Sequence, residues 1–406
     1  MTRIRDAAVL FLVVFSLAAR VSAQTQEQAD PSEAARFRFG PLRFTPSIAF
    51  TNLGVDTNVF NDPDHPAQDT VGTAGPASDY WMRVGPSLIT GKTSLQYMYF
   101  EKYATQRAWN SDNRLRWELP FTRLIPFVEG SYANQKNRTS YEIDSRARQI
   151  TQDVGIGTDL LVSSKTRIRM LGSRARFKYD DSETYLGVNL GQELDRWTNT
   201  ERLQLLYKLT SQTTFAVKSE AAQDRFADRL RNTNSIAVVP GFEMKPTALV
   251  SGSVFVGFRN FTPLEPEIPS YRGPVASVDA RYIAGATRLG VTVKRDLAFS
   301  YQATQPYYTL TDVGIDVLQR ITYTWDVMAR TSRQMLDYTV RQVPGSALPP
   351  QVDRIVQYGG GIGYRMGQTF RVGINADYFQ RRSTNALLRD FEGFRAGASI
   401  TYGLQQ

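Results

Sequence analysis

Cysteine is absent from the 406-residue sequence, and histidine occurs once, as His65. Without cysteine the chain cannot form a disulfide bridge, a thiolate nucleophile, an iron–sulfur cluster or a cysteine-type zinc site. A Ser-His-Asp triad would have to be built on His65, and the turn-rich segment 61–66 around it offers no rigid placement. These absences predict that the protein has no catalytic residues, no metal site and no cofactor.

Long hydrophobic runs are absent after residue 23. At the amino terminus, arginines at positions 3 and 5 precede an apolar run (7–19), and Val21-Ser22-Ala23 supplies the small residues that signal peptidase requires. A run of about 13 residues is too short for a membrane-spanning helix, which needs about 20. We therefore predict a cleaved signal peptide over residues 1–23. Because export removes the chain from the cytoplasm, its net charge of +9 does not indicate a nucleic-acid partner.

The rest of the sequence is dominated by a two-residue alternation of apolar and polar side chains. Segments 275–284, 309–320, 370–378 and 394–404 each place apolar residues on one side and charged, polar or glycine residues on the other. They are longer than the five or six residues usual for strands of soluble proteins. Their length matches the nine to eleven residues of a strand that crosses a bilayer at a tilt.

The connections between these segments alternate between tight and long. Tight turns are predicted at 90–93, 163–166, 211–213, 245–247, 285–287 and 367–369, with weaker ones near Thr122 and Thr322. Long polar loops are predicted at 52–78, 136–145, 180–195, 261–272 and 337–353. Short turns on one side and long loops on the other are typical of outer-membrane barrels.

The predicted fold is therefore all-β, a transmembrane antiparallel outer-membrane β-barrel of about eighteen strands (16–20), with short periplasmic turns and long extracellular loops. A short periplasmic segment (24–40) would precede the barrel (41–406). A soluble β-sandwich and a β-helix or propeller are the alternatives, and both fit a chain of long hairpins without linkers or strict repeats less well.

A barrel of this size encloses a lumen that side chains cannot fill. The side of the strands opposite to the apolar stripe predicts a mixed-charge lumen with a basic bias, suited to polar or anionic solutes. The residues predicted to line it are Arg167, Arg169, Arg174, Arg176, Lys178, Arg281, Lys294, Asp312, Asp316, Arg330, Arg371 and Asp377. In segment 167–179 the alternation changes phase near Leu171-Gly172, which suggests a β-bulge there. With such a bulge, the basic residues at both ends of the segment would face the lumen. Loop 52–78 is the candidate for a constriction folded into the lumen.

The start of the barrel resembles a known family. Segment 44–50 is followed by Gly54-Val55-Asp56-Thr57-Asn58-Val59-Phe60, and this strand with its Asp56-x-Asn58-Val59-Phe60 element resembles the outer-membrane barrels called putative beta-barrel porin 2. Members of that family are often encoded among genes for exopolysaccharide synthesis and secretion. The resemblance implies a barrel that helps a polysaccharide to cross the outer membrane, with Asp56, Asn58 and Phe60 as family-like positions and no catalytic residues.

Three functions remain open from the sequence. The first is a non-enzymatic porin for polysaccharide export, and the alternative is a general or substrate-specific diffusion porin for small polar or anionic nutrients. The third is an adhesin, a structural barrel or an outer-membrane hydrolase. The expected partners are outer-membrane lipid, the barrel assembly machinery and, for export, a polysaccharide and a periplasmic export partner. The sequence does not determine the oligomeric state.

Overall fold

The computed structural model describes residues 31–246, 248–342, 349–384 and 390–403, so the predicted signal peptide lies outside the described residues. The strands are, in chain order, β1 (Phe37–Phe39), β2 (Leu42–Asp56), β3 (Asp69–Val84), β4 (Ser87–Phe100), β5 (Ala108–Glu118), β6 (Leu124–Asn137), β7 (Ala147–Leu161), β8 (Thr166–Tyr179), β9 (Thr184–Tyr185), β10 (Val188–Asn189), β11 (Arg196–Lys208), β12 (Thr213–Phe226), β13 (Thr233–Met244), β14 (Val250–Pro263), β15 (Tyr271–Ala284), β16 (Thr287–Phe299), β17 (Tyr307–Arg320), β18 (Trp325–Thr339), β19 (Val352–Met366), β20 (Phe370–Ser383) and β21 (Phe391–Tyr402). The helical elements are one α-helical turn, Leu190–Leu194, and the 3₁₀ turns Pro31–Ala34, Ala104–Gln106 and Arg229–Arg231. Over the described ranges, none of these helices has the length and apolar character needed to cross a membrane.

Eighteen of the strands form a closed antiparallel barrel. Each long strand pairs with the next one in sequence, and β21 pairs back onto β2. The two-residue strands β9 and β10 form a separate hairpin, so β8 pairs directly with β11. The short β1 pairs with the start of β2 and adds a nineteenth strand to the sheet. The predicted fold class and strand number are thus confirmed.

The two ends of the barrel differ in their connections. One end carries turns such as 85–86, 285–286 and 367–369, and the other carries loops 57–68, 101–107, 138–146, 180–195, 227–232, 264–270, 300–306, 340–351 and 384–390. Two predicted connections were wrong: residues 90–93 lie inside β4, and most of 52–78 belongs to β2 and β3. In outer-membrane barrels the longer loops face the outside of the cell, so we call the loop end extracellular and the turn end periplasmic.

A β-bulge interrupts β2 near Asn52. The register with β3 and β21 shifts there, and Asn52 has a φ of 54°, in the left-handed region that asparagine tolerates better than most residues. The bulge adds one residue and so exchanges the two faces of the strand beyond it. As a result Asp56, at the end of β2, points into the barrel instead of toward the membrane.

Candidate functional site

The main feature of the lumen is a loop that crosses it. The crossing loop, residues 138–146, connects β6 to β7, the fifth and sixth strands of the barrel. At its tip the Tyr141 hydroxyl donates a hydrogen bond of 2.8 Å to Asp312 Oδ2 on β17, the fourteenth strand. β17 lies nine positions from β6 in the ring of eighteen strands, so this contact joins opposite walls. Burial, followed by the hydrogen bond to Asp312, raises the pKa of Tyr141.

Buried ion pairs hold the crossing loop in place. Arg381 on β20 is fully buried, and its guanidinium donates to Asp144 Oδ2 at 2.6 Å and to Asp353 Oδ2 at 2.5 Å. It also donates to the carbonyl oxygens of Tyr141 and Glu142, at 3.2 and 3.3 Å. Because one side chain binds two carboxylates and the loop backbone, Arg381 fastens the crossing loop to the barrel wall at β19 and β20.

Glu142 connects the crossing loop to loop 300–306. Its side chain is fully buried and accepts hydrogen bonds from Ser300 Oγ at 2.6 Å, the Tyr301 backbone N–H at 3.1 Å and Gln302 Nε2 at 3.1 Å. Three donors satisfy a carboxylate that would be expensive to bury alone. The two loops therefore form one unit at the extracellular mouth.

An apolar cluster fills the space behind these contacts. It contains residues of the crossing loop, of loops 180–195 and 300–306 and of the adjacent strand ends, namely Ile143, Ala147, Tyr179, Leu190, Leu194 and Tyr301. Together with loop 57–68, these three loops form what we call the cap. Two further apolar clusters, around Tyr308 and around Phe261, lie near the same end of the barrel. The apolar packing of the described residues is therefore concentrated at the mouth, while a lumen occupies a barrel of this size.

The family-like element 56–60 anchors both ends of the crossing loop, opposite to its tip at Tyr141. Asp56 accepts from the Asn58 backbone N–H at 3.0 Å and pairs with Arg395 Nε at 2.8 Å. The Asn58 amide donates to carbonyl oxygens in its own loop and on β21, which fixes the position of Val59. The Val59 carbonyl then accepts from Arg138 at 2.8 Å and from Arg146 at 2.9 Å.

The two arginines of this anchor lie in a strongly desolvated place. Burial lowers the pKa of Arg138 to about 10 and that of Arg146 to about 9, and the nearby Arg395 adds to both shifts. Asp56 lies 4.0 Å from Arg146, and it acts in the opposite direction by favouring the charged guanidinium. The element therefore holds loop 57–68 and the crossing loop together. Its last residue, Phe60, makes an edge-to-face ring contact with Tyr103.

Strand register determines which predicted pore residues face the lumen. Asp312 faces inward because the crossing loop reaches it from the opposite wall, and directly opposed residues of antiparallel strands share a face. From Asp312 the opposed residues run Lys294, Ser277, Phe255, Gly241, Ala216, Leu206 and Arg167. The predicted residues on this inward face are Arg167, Arg169, Arg281, Lys294, Asp312, Asp316, Arg330, Arg371 and Asp377.

The other three predicted pore residues do not line the lumen. β8 keeps an unbroken register with both β7 and β11, so the bulge predicted near Leu171-Gly172 is absent. Arg174, Arg176 and Lys178 therefore lie on the outer face of β8. The alternation changes there because the outer face itself changes from apolar to basic near the extracellular end of the strand.

Most lumen arginines are paired across strands. Arg169 binds Asp159 through two hydrogen bonds of 2.6 and 2.7 Å, and Arg167 lies 3.5 Å from the same carboxylate. Arg371 donates to Asp326 at 2.7 Å, and Arg330 pairs with Asp377. This pairing gives a mixed-charge wall in which the predicted basic bias is largely neutralised.

The glycine-rich part of β19 makes room for these pairs. The backbone of Gly359 lies between Arg330 and Asp377, and a Cβ there would come within 2.0 Å of an Asp377 carboxylate oxygen. Gly363 has the same position beneath Arg371. The glycines of β19 therefore allow side chains of β18 and β20 to form ion pairs across the intervening strand.

A cavity of about 590 Å³ opens into the wall formed by β3 to β7. Its charged lining comprises Asp79, Lys92, Asp112, Arg114, Arg116, Glu129 and Asp153, and the indole of Trp81 also contributes. Arg116 donates to Glu118 at 2.5 Å and to Glu129 at 2.8 Å, while its guanidinium lies 3.6 Å from the ring centre of Phe127. Fixed positive and negative groups beside an aromatic face suit small polar solutes that carry charge.

The residues that close the mouth were not identified from the sequence. Arg138, Tyr141, Asp144 and Arg381 meet through contacts that join positions as far as 240 residues apart. The sequence signal was limited to a polar loop at 136–145, and loop 52–78 was assigned the constriction instead. The part of 52–78 that is a loop, residues 57–68, contacts the crossing loop through Val59 and Asn61 at the rim.

His65 is exposed in loop 57–68, and its backbone N–H donates to Asp62. Among the residues that the structure describes, no group of three or more histidine, aspartate or glutamate side chains could hold a metal ion.

Several solved outer-membrane proteins match the chain at low sequence identity. A BenF-like porin from Pseudomonas fluorescens Pf-5 is 10% identical, with a TM-score of 0.48, and the match covers 89% of this chain and 99% of that one. OpdQ from Pseudomonas aeruginosa is 10% identical, with a TM-score of 0.46 and coverage of 89% and 98%. The siderophore receptor PirA from Pseudomonas aeruginosa is 9% identical, with a TM-score of 0.41 and coverage of 89% and 80%.

No curated protein matches the chain in sequence. The family described as Putative beta-barrel porin 2 matches residues 30–403, which includes every barrel strand and the element 56–60. The chain therefore belongs to the putative beta-barrel porin 2 family, as the resemblance of its first strand and loop predicted.

Proposed function

We propose that this porin is a diffusion channel for small polar or anionic solutes, with the crossing loop as its constriction. The observation that carries the proposal is the contact between Tyr141 and Asp312, which places a loop across the lumen. A solute has to pass beside this loop, so the free section is smaller than the barrel alone would allow. The mixed-charge wall below the cap gives polar solutes fixed partners in place of water.

Polysaccharide export is less compatible with this geometry, and the comparisons give it no support. A polymer would have to pass the cap while the buried bonds of Arg381 and Glu142 hold the crossing loop in place. Opening would separate Asp144 from Arg381, and it would separate the Glu142 carboxylate from its three donors in loop 300–306. Diffusion of small solutes requires no such opening.

Single-channel conductance in planar bilayers tests the proposal. In the test variant, residues 139–145 are replaced by a short Gly-Ser linker. In the matched control, loop 264–270, which bonds to Tyr307 and Arg341 outside the cap, is shortened in the same way. We expect a severalfold larger conductance for the first variant and the wild-type value for the control. Equal conductance in all three proteins would show that the crossing loop is not the constriction.

Liposome swelling with graded solutes separates the two transport functions. We expect wild-type liposomes to admit small sugars and carboxylates and to exclude long polyethylene glycols and anionic polysaccharide. Passage of the polymers through the wild-type protein would contradict the diffusion proposal and favour export.

A further inference from the structure

The outer wall of the barrel carries a strong excess of positive charge. Within the eighteen barrel strands, the outward-facing basic residues number eleven and are Lys136, Arg148, Arg174, Arg176, Lys178, Arg225, Arg272, Arg295, Arg333, Arg354 and Arg382. The outward-facing acidic residues number three and are Glu201, Asp337 and Glu392. The difference of eight charges is close to the net charge of +9 of the whole chain.

These basic residues form a belt at one height. Every one lies within six residues of the extracellular end of its strand. The periplasmic part of β8, residues 166–173, spans about 20 Å along the membrane normal, at a rise of about 3.3 Å per residue and a tilt of about 40°. Its outward side chains include Ile168 and Met170, so the belt begins where the lipid-facing apolar band ends.

The densest part of the belt is centred on Trp197. The guanidinium carbons of Arg174 and Arg176 lie 4.4 and 5.2 Å from the centre of its indole ring. Both arginines are exposed, and neither has a carboxylate within 4.0 Å in the part of the chain that the structure describes. Lys178, next on the same face, is 3.5 Å from Asp181.

Most of the belt is uncompensated. Arg148, Lys178 and Arg382 have loop aspartates as partners, at 3.8, 3.5 and 3.5 Å. Arg225 and Arg295 bond to neutral oxygens, which leaves their charges in place. Most lumen arginines of the same barrel are paired with carboxylates, so the contrast between the two faces is a property of the outer wall.

We propose that this belt binds the phosphate groups of anionic lipid headgroups in the outer leaflet, with Arg174, Arg176 and Trp197 forming its strongest site. Arginine forks match phosphate oxygens in geometry and charge. An indole at the membrane interface packs against the sugar or glycerol part of a headgroup. The occupant is a lipid because the site lies directly beside the apolar band, where the acyl chains of a bound lipid would lie against the barrel.

Native mass spectrometry of the detergent-solubilised protein, titrated with bis-phosphorylated lipid A, tests this proposal. We expect R174Q/R176Q to bind about thirty-fold more weakly than the wild type, from roughly fivefold per arginine near a membrane surface. The matched control K165Q/K245Q removes two positive charges from periplasmic turns and should bind like the wild type. Heat-modified mobility in gels verifies that each variant is a folded barrel.

Two further measurements keep the result interpretable. If R174Q/R176Q does not fold, R333Q/R354Q tests the belt on the other side of the barrel and should also weaken binding. Dephosphorylated lipid A should bind the wild type no better than it binds R174Q/R176Q. Equal affinity of the wild type and both charge-removed variants, or equal binding of the two lipids, would overturn the proposal. Displacement of the lipid by equimolar inorganic phosphate would assign the site to a soluble anion and would overturn the lipid assignment.

Discussion

Replacing Arg381 by methionine should release the crossing loop without unfolding the barrel. The substitution keeps the length of the side chain and removes all four hydrogen bonds that it donates to Asp144, Asp353 and two loop carbonyls. Removing one partner of a buried ion pair costs about 3–5 kcal/mol. If that energy acts on the loop, the ratio of latched to released molecules falls by about 2.2 to 3.7 powers of ten.

Limited trypsin digestion of the reconstituted protein measures the release. Arg138 and Arg146 lie at the two ends of the crossing loop and bond to the Val59 carbonyl, so the wild-type loop should resist cleavage. In R381M, mass spectrometry should find cuts after both arginines, and the conductance should rise with frequent fluctuations. The control Q380M changes the neighbouring outward residue of β20 and should leave the loop protected.

The role of Arg381 can be tested further by removing the two carboxylates that lose their partner in R381M, those of Asp144 and Asp353. In the triple variant D144N/D353N/R381M no buried charge is left unpaired, so part of the protection should return. Protection and conductance in R381M equal to those of the wild type would refute the role of Arg381 as the latch.

Two more predictions concern the crossing contact and the glycines beneath the ion pairs. The pKa of Tyr141 is raised in the closed loop above its ordinary value of 10.0. The closed loop is therefore favoured below pH 10 and becomes less favoured as the pH rises above this value. Wild-type conductance should increase above about pH 10, and the same increase in a Y141F channel would contradict the role of Tyr141. Gly359→Val should separate Arg330 from Asp377 and lower the free energy of unfolding in urea by about 1–3 kcal/mol. The control Gly360→Ala should be close to neutral, because its Cβ would have an ordinary contact of 3.5 Å. Equal unfolding midpoints for the two variants would show that Gly359 is not needed for the ion pair between Arg330 and Asp377.

The barrel could be predicted from the sequence because its cause is local. Side chains alternate along every strand, and a bilayer outside with water inside imposes that period directly on the sequence. Segments such as 275–284 and 370–378 therefore indicated strand length, orientation and an approximate strand number. The difference between short turns and long loops is also visible in the local sequence, and it distinguished the two ends of the barrel.

Local patterns failed where the environment of one face changes along a strand. On β8 the alternation changes phase at Leu171-Gly172, which the sequence interpretation attributed to a bulge. The strand is regular; its outer face simply leaves the apolar band and enters the basic belt. On β2 the reverse holds, because a bulge at Asn52 exists and directs Asp56 inward.

The sequence by itself determined an all-β chain with alternating strands and a family-like element at residues 56–60, and it predicted export and a charged lumen. The tertiary structure alone decided which loop crosses the lumen, because Tyr141 and Asp312 are 171 residues apart in sequence and meet only after the barrel has closed. It also decided where the excess positive charge lies. A charge on a strand has no fixed meaning until the register places it against water in the lumen, against a carboxylate or at the rim of the membrane.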